Sequence, residues 1–182
     1  EETDDYIVVN KKSGIVTHIA PGNYTGTLQN GLYFKYPELS EVPRTGIIHR
    51  LDKDTSGLLV VCRNLASHNY LSKQLQEKKF TNIYHALVTR CIDKPIVIEE
   101  PIGRHPVNRK KMSIHINGRH AISKIKPLTM FKKTTHVEVE LITGRTHQIR
   151  VHLSYLNNPV IGDSMYGFKK TFFTKDLTIS ET

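Results

Sequence analysis

Alternation constrains this chain more than any other feature. From Phe80 to Cys91, Tyr84, Ala86 and Val88 fall on one face of an extended segment, and His85, Leu87 and Thr89 on the other. Ile122–Met130 and Thr135–Ile142 read as an antiparallel pair, with Val137, Val139 and Leu141 facing one way. Shorter strands are expected at Ile96–Glu99 and Met112–Ile116. Tyr6–Asn10 and Ile15–His18 flank a Lys-Lys-Ser-Gly turn and suggest a hairpin. Helical spacing occurs at Thr27–Tyr36 (Leu28, Leu32, Tyr36), Leu65–Lys78 (Leu71, Leu75) and His147–Asn157 (Ile149, Leu153, Leu156). Thr146 is the expected N-cap of the last helix, and Pro159 closes it. Helices interspersed among strands without strict alternation predict an α+β fold with a mixed, mostly antiparallel sheet and flanking helices.

Charge is distributed unevenly. The 182 residues carry a net charge of +9, and nine basic residues lie between Pro101 and Val137, where no Asp or Glu occurs. These are Arg104, Arg109, Lys110, Lys111, Arg119, Lys124, Lys126, Lys132 and Lys133; the rest of the chain is balanced. Such a segment suits a polyphosphate partner, because every neutralised phosphate releases counterions. The two cysteines, Cys62 and Cys91, end apolar runs and read as small core residues in a reduced compartment. The acidic start, Glu1-Glu2-Thr3-Asp4-Asp5, is unlike a signal or transit peptide, and no apolar run approaches membrane-spanning length. A soluble, cytoplasmic, monomeric protein is expected.

Three chemistries compete for the remaining residues. The closest histidine pairs, His115 with His120 and His147 with His152, are five apart, which turns the rings to different faces; no metal centre is expected. No Gly-x-Ser-x-Gly elbow exists, and nothing local supports a Ser/His/Asp or Cys/His hydrolase. The third possibility is a carboxylate acting on a nucleoside. His49-Arg50-Leu51-Asp52-Lys53-Asp54-Thr55-Ser56-Gly57 is a polar loop between the apolar runs Gly46–Ile48 and Leu58–Cys62. Two buried strands would hold Asp52 at a fixed height, with Arg50 nearby to keep it ionised. A second basic cluster, Arg145 and Arg150, accompanies His147, and Arg150 shares a helix face with His147. Asp52 could serve as nucleophile or base, and Tyr84 could stack on a base or fill a core.

The residues resemble a known family. His49–Leu58 is similar to the central motif of the RluA-type pseudouridine synthases, and Tyr84-His85-Ala86-Leu87-Val88 to their tyrosine motif. Leu141–His152 is similar to their arginine motif, and Gly162-Asp163-Ser164-Met165-Tyr166-Gly167 to the motif after it. Val9–Gly14 fits the family's first strand and turn. Glu100–Pro106 and Arg109–Met112 resemble a segment of the RluD-like branch, which modifies large-subunit ribosomal RNA.

The resemblance implies isomerisation of uridine to pseudouridine in RNA, without cofactor or metal. It implies that Asp52 is the catalytic carboxylate, attacking the sugar carbon or taking a sugar proton. Tyr84 stacks on the base, Arg150 pairs with the catalytic carboxylate, and Arg50 fills the space of the extruded uridine. A base within a stack leaves no room for a carboxylate at its sugar, so flipping is required. His49, Thr55, Arg145, His147, Arg104, Arg109, Lys110 and Lys111 are the expected RNA contacts. The match extends over residues 6–168 and reads as a single catalytic domain across 1–182. An S4-like RNA-binding domain before it and the family's closing strands after it are not expected within this sequence. A rival from another class is an RNA-binding or ribosome-assembly module with a vestigial site; a nucleosidase that releases uracil is more distant.

Overall fold

A computed structural model of the chain describes residues 1–167. They fall into two compact units, Glu1–Phe80 and a second beginning at Thr81. The fold is α+β with antiparallel sheets throughout, as the alternation predicts.

The first unit holds strand β1 (Tyr6–Lys11), helix α1 (Leu28–Lys35), two 3-10 turns (Pro37–Glu41 and Pro43–Gly46), strand β2 (Gly57–Cys62) and helix α2 (Leu65–Gln76). α1 opens on a reciprocal cap: Asn30 N–H donates to Thr27 Oγ1 at 3.2 Å, and Thr27 N–H to Asn30 Oδ1 at 3.0 Å. Asn64 caps α2 by accepting from Ser67 N–H at 2.8 Å. Ile7, Leu32, Tyr36, Leu39, Val42, Ile47 and Val61 form the core.

Two expectations are corrected here. β1 pairs antiparallel with β2, Tyr6 opposite Cys62 and Lys11 opposite Gly57, and Ile15–His18 forms no strand. The polar loop therefore connects to a partner that is distant in sequence. On its other flank, Gly46–Ile48 is not a second strand. Arg44, Thr45 and Gly46 are all left-handed, with φ of 54°, 56° and 76°, and only Ile47 bridges to Val61.

The second unit contains β3 (Asn82–Thr89), β4 (Ile96–Glu99), β5 (Ile102–Arg104), β6 (Met112–Ile114), β7 (Ile122–Met130), β8 (Thr134–Leu141) and helix α3 (Gln148–Tyr155). The main sheet runs β3-β8-β7-β4, and β5 and β6 make a separate hairpin. Pro127 lies where β7 has no ladder with β4, since that pairing stops at Ile125; a missing N–H costs nothing there. Val88, Ile98, Ile125, Val137, Val139 and Leu153 lie in one core, so α3 seals the face predicted from the alternation. Ile102, Ala121 and Val151 form a smaller cluster with Met112, Ile114 and Tyr166 against it. Cys62 is buried as expected, but Cys91 is exposed, because β3 ends at Thr89 and Arg90 turns left-handed (φ 65°).

Gly46 has no room for a side chain: a Cβ would overlap the Cys62 carbonyl oxygen, and φ is positive. Gly46→Ala is expected to lose about 2–3 kcal/mol of stability, read as a lowered urea midpoint with an unchanged slope.

Candidate active site

The loop bearing Asp52 is fastened through its backbone. Four successive carbonyls accept hydrogen bonds: Leu51 from Thr17 Oγ1 (2.9 Å), Asp52 from Thr55 N–H (3.2 Å), Lys53 from Gly14 N–H (2.9 Å) and Lys11 Nζ (3.0 Å), and Asp54 from Ser13 Oγ (2.9 Å). Lys11 is the anchor. It is only 1% exposed, and its ammonium also donates to the carbonyls of Lys12 (3.0 Å) and Ile15 (2.9 Å). All three of its protons are thereby used, which is what a buried ammonium requires. Burial pushes the Lys11 ammonium down from its usual range, while the Asp54 and Asp52 carboxylates pull it back up. In the sequence Lys11, Ser13, Gly14 and Thr17 belong to a first strand, its turn and the run after it; their part in the loop is legible only once β1 is paired with β2.

Asp52 and Thr55 are half-buried, and Arg50, Lys53 and Asp54 are exposed. Leu51 points into the interior at 5% exposure, which turns its neighbours outward. His49 Nε2 accepts from Val60 N–H at 2.9 Å, and burial lowers its pKa. That nitrogen is thus committed to fixing the loop against β2, in addition to any contact with substrate.

In the second unit, the predicted residues gather at the start of α3. Thr146 is not its N-cap. His147 holds that position in the left-handed conformation (φ 57°, ψ 20°) without a side-chain capping bond. The first helical residue instead turns its side chain back onto the preceding loop: Gln148 Oε1 accepts from Arg145 N–H and Thr143 Oγ1, each at 2.9 Å. Its Nε2 donates to Ile122 O and Ser123 Oγ, each at 2.9 Å. Ser123 must then give its proton to His152 Nδ1 (2.9 Å), and His152 Nε2–H donates to Glu100 O (3.1 Å). This buried chain ties α3 to β7 and to the root of the β5–β6 hairpin. Burial is the largest influence on His152 and holds its pKa below the usual range.

Arg150 is gripped in bidentate fashion by Asp163, Nε to Oδ2 at 2.7 Å and Nη2 to Oδ1 at 3.0 Å. Asp163 Oδ1 also accepts from the amides of Met165 (2.9 Å) and Tyr166 (3.0 Å). Burial alone would raise its pKa, but the Arg150 guanidinium and the two amides outweigh it and hold the carboxyl below its usual range. The Arg150 guanidinium stacks 4.9 Å from the Tyr166 ring centre. Asp163 and Tyr166 were within a recognised motif but received no role from sequence.

Arg145 Nε donates to His120 O at 2.9 Å. Arg104 Nη1 crosses the basic hairpin to Arg109 O at 2.8 Å, leaving Arg109 and Lys110 exposed at its tip, and Lys111 Nζ lies 5.7 Å from the Tyr166 ring centre. Tyr84 sits half-buried in the middle of β3, opposite Val139. Among the described residues no group of three His, Cys, Asp or Glu is arranged to hold a metal ion, and no helix is long and apolar enough to cross a membrane.

Comparison with known proteins gives this arrangement a family. The RNA pseudouridylate synthase family model matches residues 5–155. The chain belongs to that family. The match takes in the Asp52 loop, Tyr84 on β3 and all of α3. The chain is 46% identical over 166 residues to ribosomal large subunit pseudouridine synthase D of Pseudomonas aeruginosa, covering 91% of this chain and 52% of that protein. It is 48% identical over 167 residues to the protein of the same name from Neisseria meningitidis, covering 91% and 45%. The chain therefore spans about half the length of the curated relatives it matches. The solved structure of human RNA pseudouridylate synthase domain containing 1 superposes with a TM-score of 0.76 at 29% identity, covering 92% of this chain and 68% of that one. Its human counterpart, domain containing 4, gives 0.73 at 22% identity, covering 92% and 67%, and supports the fold.

Two outcomes follow for the stability of this chain. Lys11→Ala leaves three carbonyls without their charged donor and is expected to cost about 2–4 kcal/mol, measured by urea denaturation. His49 and His152 both have folded pKa values below the unfolded reference of 6.5. The unfolded chain therefore binds more protons below that pH, and the stability present above it is lost as pH falls. The urea midpoint should drop between pH 7.5 and 5.5, and His152→Gln, which keeps a donor and an acceptor, should flatten that dependence.

Proposed function

We propose that the chain isomerises uridine to pseudouridine in RNA, with large-subunit ribosomal RNA as the substrate class. The observation that carries this reading is the fastening of the Asp52 loop, whose four consecutive carbonyls are all bonded. A carboxylate on such a loop is positioned before substrate arrives, so little reorganisation is needed when it acts. Support for the substrate class comes from the names of the relatives, both large-subunit enzymes, and from the acid-free basic segment.

In this reading Asp52 works at the sugar of a flipped uridine, as nucleophile on the anomeric carbon or as base toward a sugar proton. The bond from the sugar to the base nitrogen breaks. The uracil turns and its C5 forms the new bond to the same sugar carbon, displacing the Asp52 oxygen where Asp52 was the nucleophile, or with the proton returned to the sugar where it was the base; the C5 proton leaves as the nitrogen regains one. Tyr84 stacks on the base. Arg150, held by Asp163, supplies positive charge to the reaction, and Arg50 takes the place of the extruded nucleotide. His49, Thr55, Arg145 and His147 contact the nucleotide and its flanks. Arg104, Arg109, Lys110 and Lys111 grip backbone phosphates without reading sequence. None of these steps calls on a metal or cofactor.

Asp52→Ala separates this reading from that of an RNA-binding module. Carbodiimide adducts resistant to base mark pseudouridine in a large-subunit RNA transcript. The variant should bind the transcript as the unaltered chain does, and its pseudouridine formation should fall by about a thousand-fold or more. Undiminished formation would refute the assignment. Binding without pseudouridine formation by the unaltered chain would favour the module.

A further inference from the structure

Two histidines meet on the outer face of the main sheet. β3 and β8 run antiparallel, with His85 opposite Glu138 and Leu87 opposite His136, so His85 and His136 are diagonal neighbours. Alternation puts both on the face turned away from the core residues Val88, Val137 and Val139. The ladder beneath them is unbroken from Asn82–Leu141 to Thr89–Thr134, which fixes the two backbones relative to each other. His85 is exposed and His136 half-buried. His85 Nδ1 lies 3.0 Å from His136 Nε2, with the ring centres 5.2 Å apart and the planes at 39°. A hydrogen bond between two imidazole nitrogens requires one of them to be unprotonated, so the pair already presents a lone pair.

We propose that His85 Nδ1 and His136 Nε2 form a chelating site for a divalent first-row transition ion, Cu²⁺ above all. Imidazole suits such ions, and Cu²⁺ is the tightest binder in the series. Two imidazole nitrogens at about 2.0–2.1 Å from one ion stand about 2.8–3.0 Å apart at a right angle and about 3.3–3.4 Å apart at the tetrahedral angle. The observed 3.0 Å fits the right angle of a tetragonal Cu²⁺ or Ni²⁺ centre. Binding releases no net proton from the neutral pair. The N–H of the donor ring passes to that ring's other nitrogen, and both facing nitrogens then coordinate. Among the described residues no third His, Cys, Asp or Glu is arranged to join them, so water fills the remaining positions. Glu138, opposite His85, adds negative charge on the same face of the sheet. Tyr84 projects from the other face of β3, so the site stands whether or not the chain isomerises uridine.

The test is Cu²⁺ added at neutral pH to chain labelled with a nitrogen isotope in its histidine rings. Pulsed EPR should show two imidazole nitrogens coupled to one tightly bound ion; one coupled nitrogen, or none, would overturn the proposal. His85→Asn and His136→Asn should each raise the Cu²⁺ Kd about ten-fold or more, since losing even a hydrogen-bond partner of a metal-bound imidazole costs that much. His120→Asn removes a different exposed ring, 3.6 Å from Glu99, and should leave the Kd unchanged. A Kd that stays the same in both sheet variants, or that rises only in His120→Asn, would refute the site. Should a sheet variant not fold, the EPR spectrum of the unaltered chain still counts the coordinated nitrogens. Pseudouridine formation by the Cu²⁺-free chain tests the enzymatic reading separately.

Discussion

The buried Lys11 ammonium is the interaction on which the shape of the first unit's polar loop depends. A charge removed from water is tolerated only where every proton has a partner, and here the carbonyls of Lys12, Ile15 and Lys53 supply them. The lysine thereby joins the turn after β1 to the loop before β2, two segments forty residues apart in the chain. Thr17, Gly14 and Ser13 extend the same fastening to neighbouring carbonyls. The result is a loop outside any strand or helix whose carbonyls from Leu51 to Asp54 are all hydrogen-bonded. Such a loop can present a carboxylate at the surface without relying on regular secondary structure to orient it.

The second unit solves a related problem with an acid in place of a base. Asp163 accepts two bonds from Arg150 and two from backbone amides, so the arginine's fork is fixed in plane and direction. Burial penalises the Asp163 charge, and the guanidinium with its amides more than compensates. Gln148, Ser123 and His152 then lock the helix carrying Arg150 to the sheet through bonds whose directions are all determined by their ends. In both units a residue that does no chemistry in the proposed reaction holds one that does.

Much of this was readable in the sequence. The β7–β8 pair, β3 and the three helices follow from periodicity, because a two-residue or near-four-residue repeat survives any tertiary context. Asp52, Tyr84 and Arg150 were singled out by their motifs. What escaped was non-local. Tyr6–Asn10 and Ile15–His18 look like a hairpin because a Lys-Lys-Ser-Gly turn separates them, but the β1–β2 pairing buries Ile7 and Val61 together, and local turn preference gives way. Thr146 is a better N-cap than His147 by intrinsic preference, but the helix starts one residue later, where Gln148 is tied back by its side chain to Arg145 N–H and Thr143 Oγ1. Cys91 ends an apolar run yet lies beyond the last strand residue, so alternation could not place it. Asp163 and Tyr166 act on residues thirteen or more positions away, and no spacing rule reaches so far.

In the proposed reaction the glycosidic bond of a uridine moves from nitrogen to C5. Forming the new bond expels the hydrogen at C5, so a large-subunit RNA transcript tritiated at that position reports the event directly. The purified chain should release tritium to water in step with pseudouridine formed and liberate no uracil. Release of free uracil, or no tritium release from a transcript the chain binds, would contradict it.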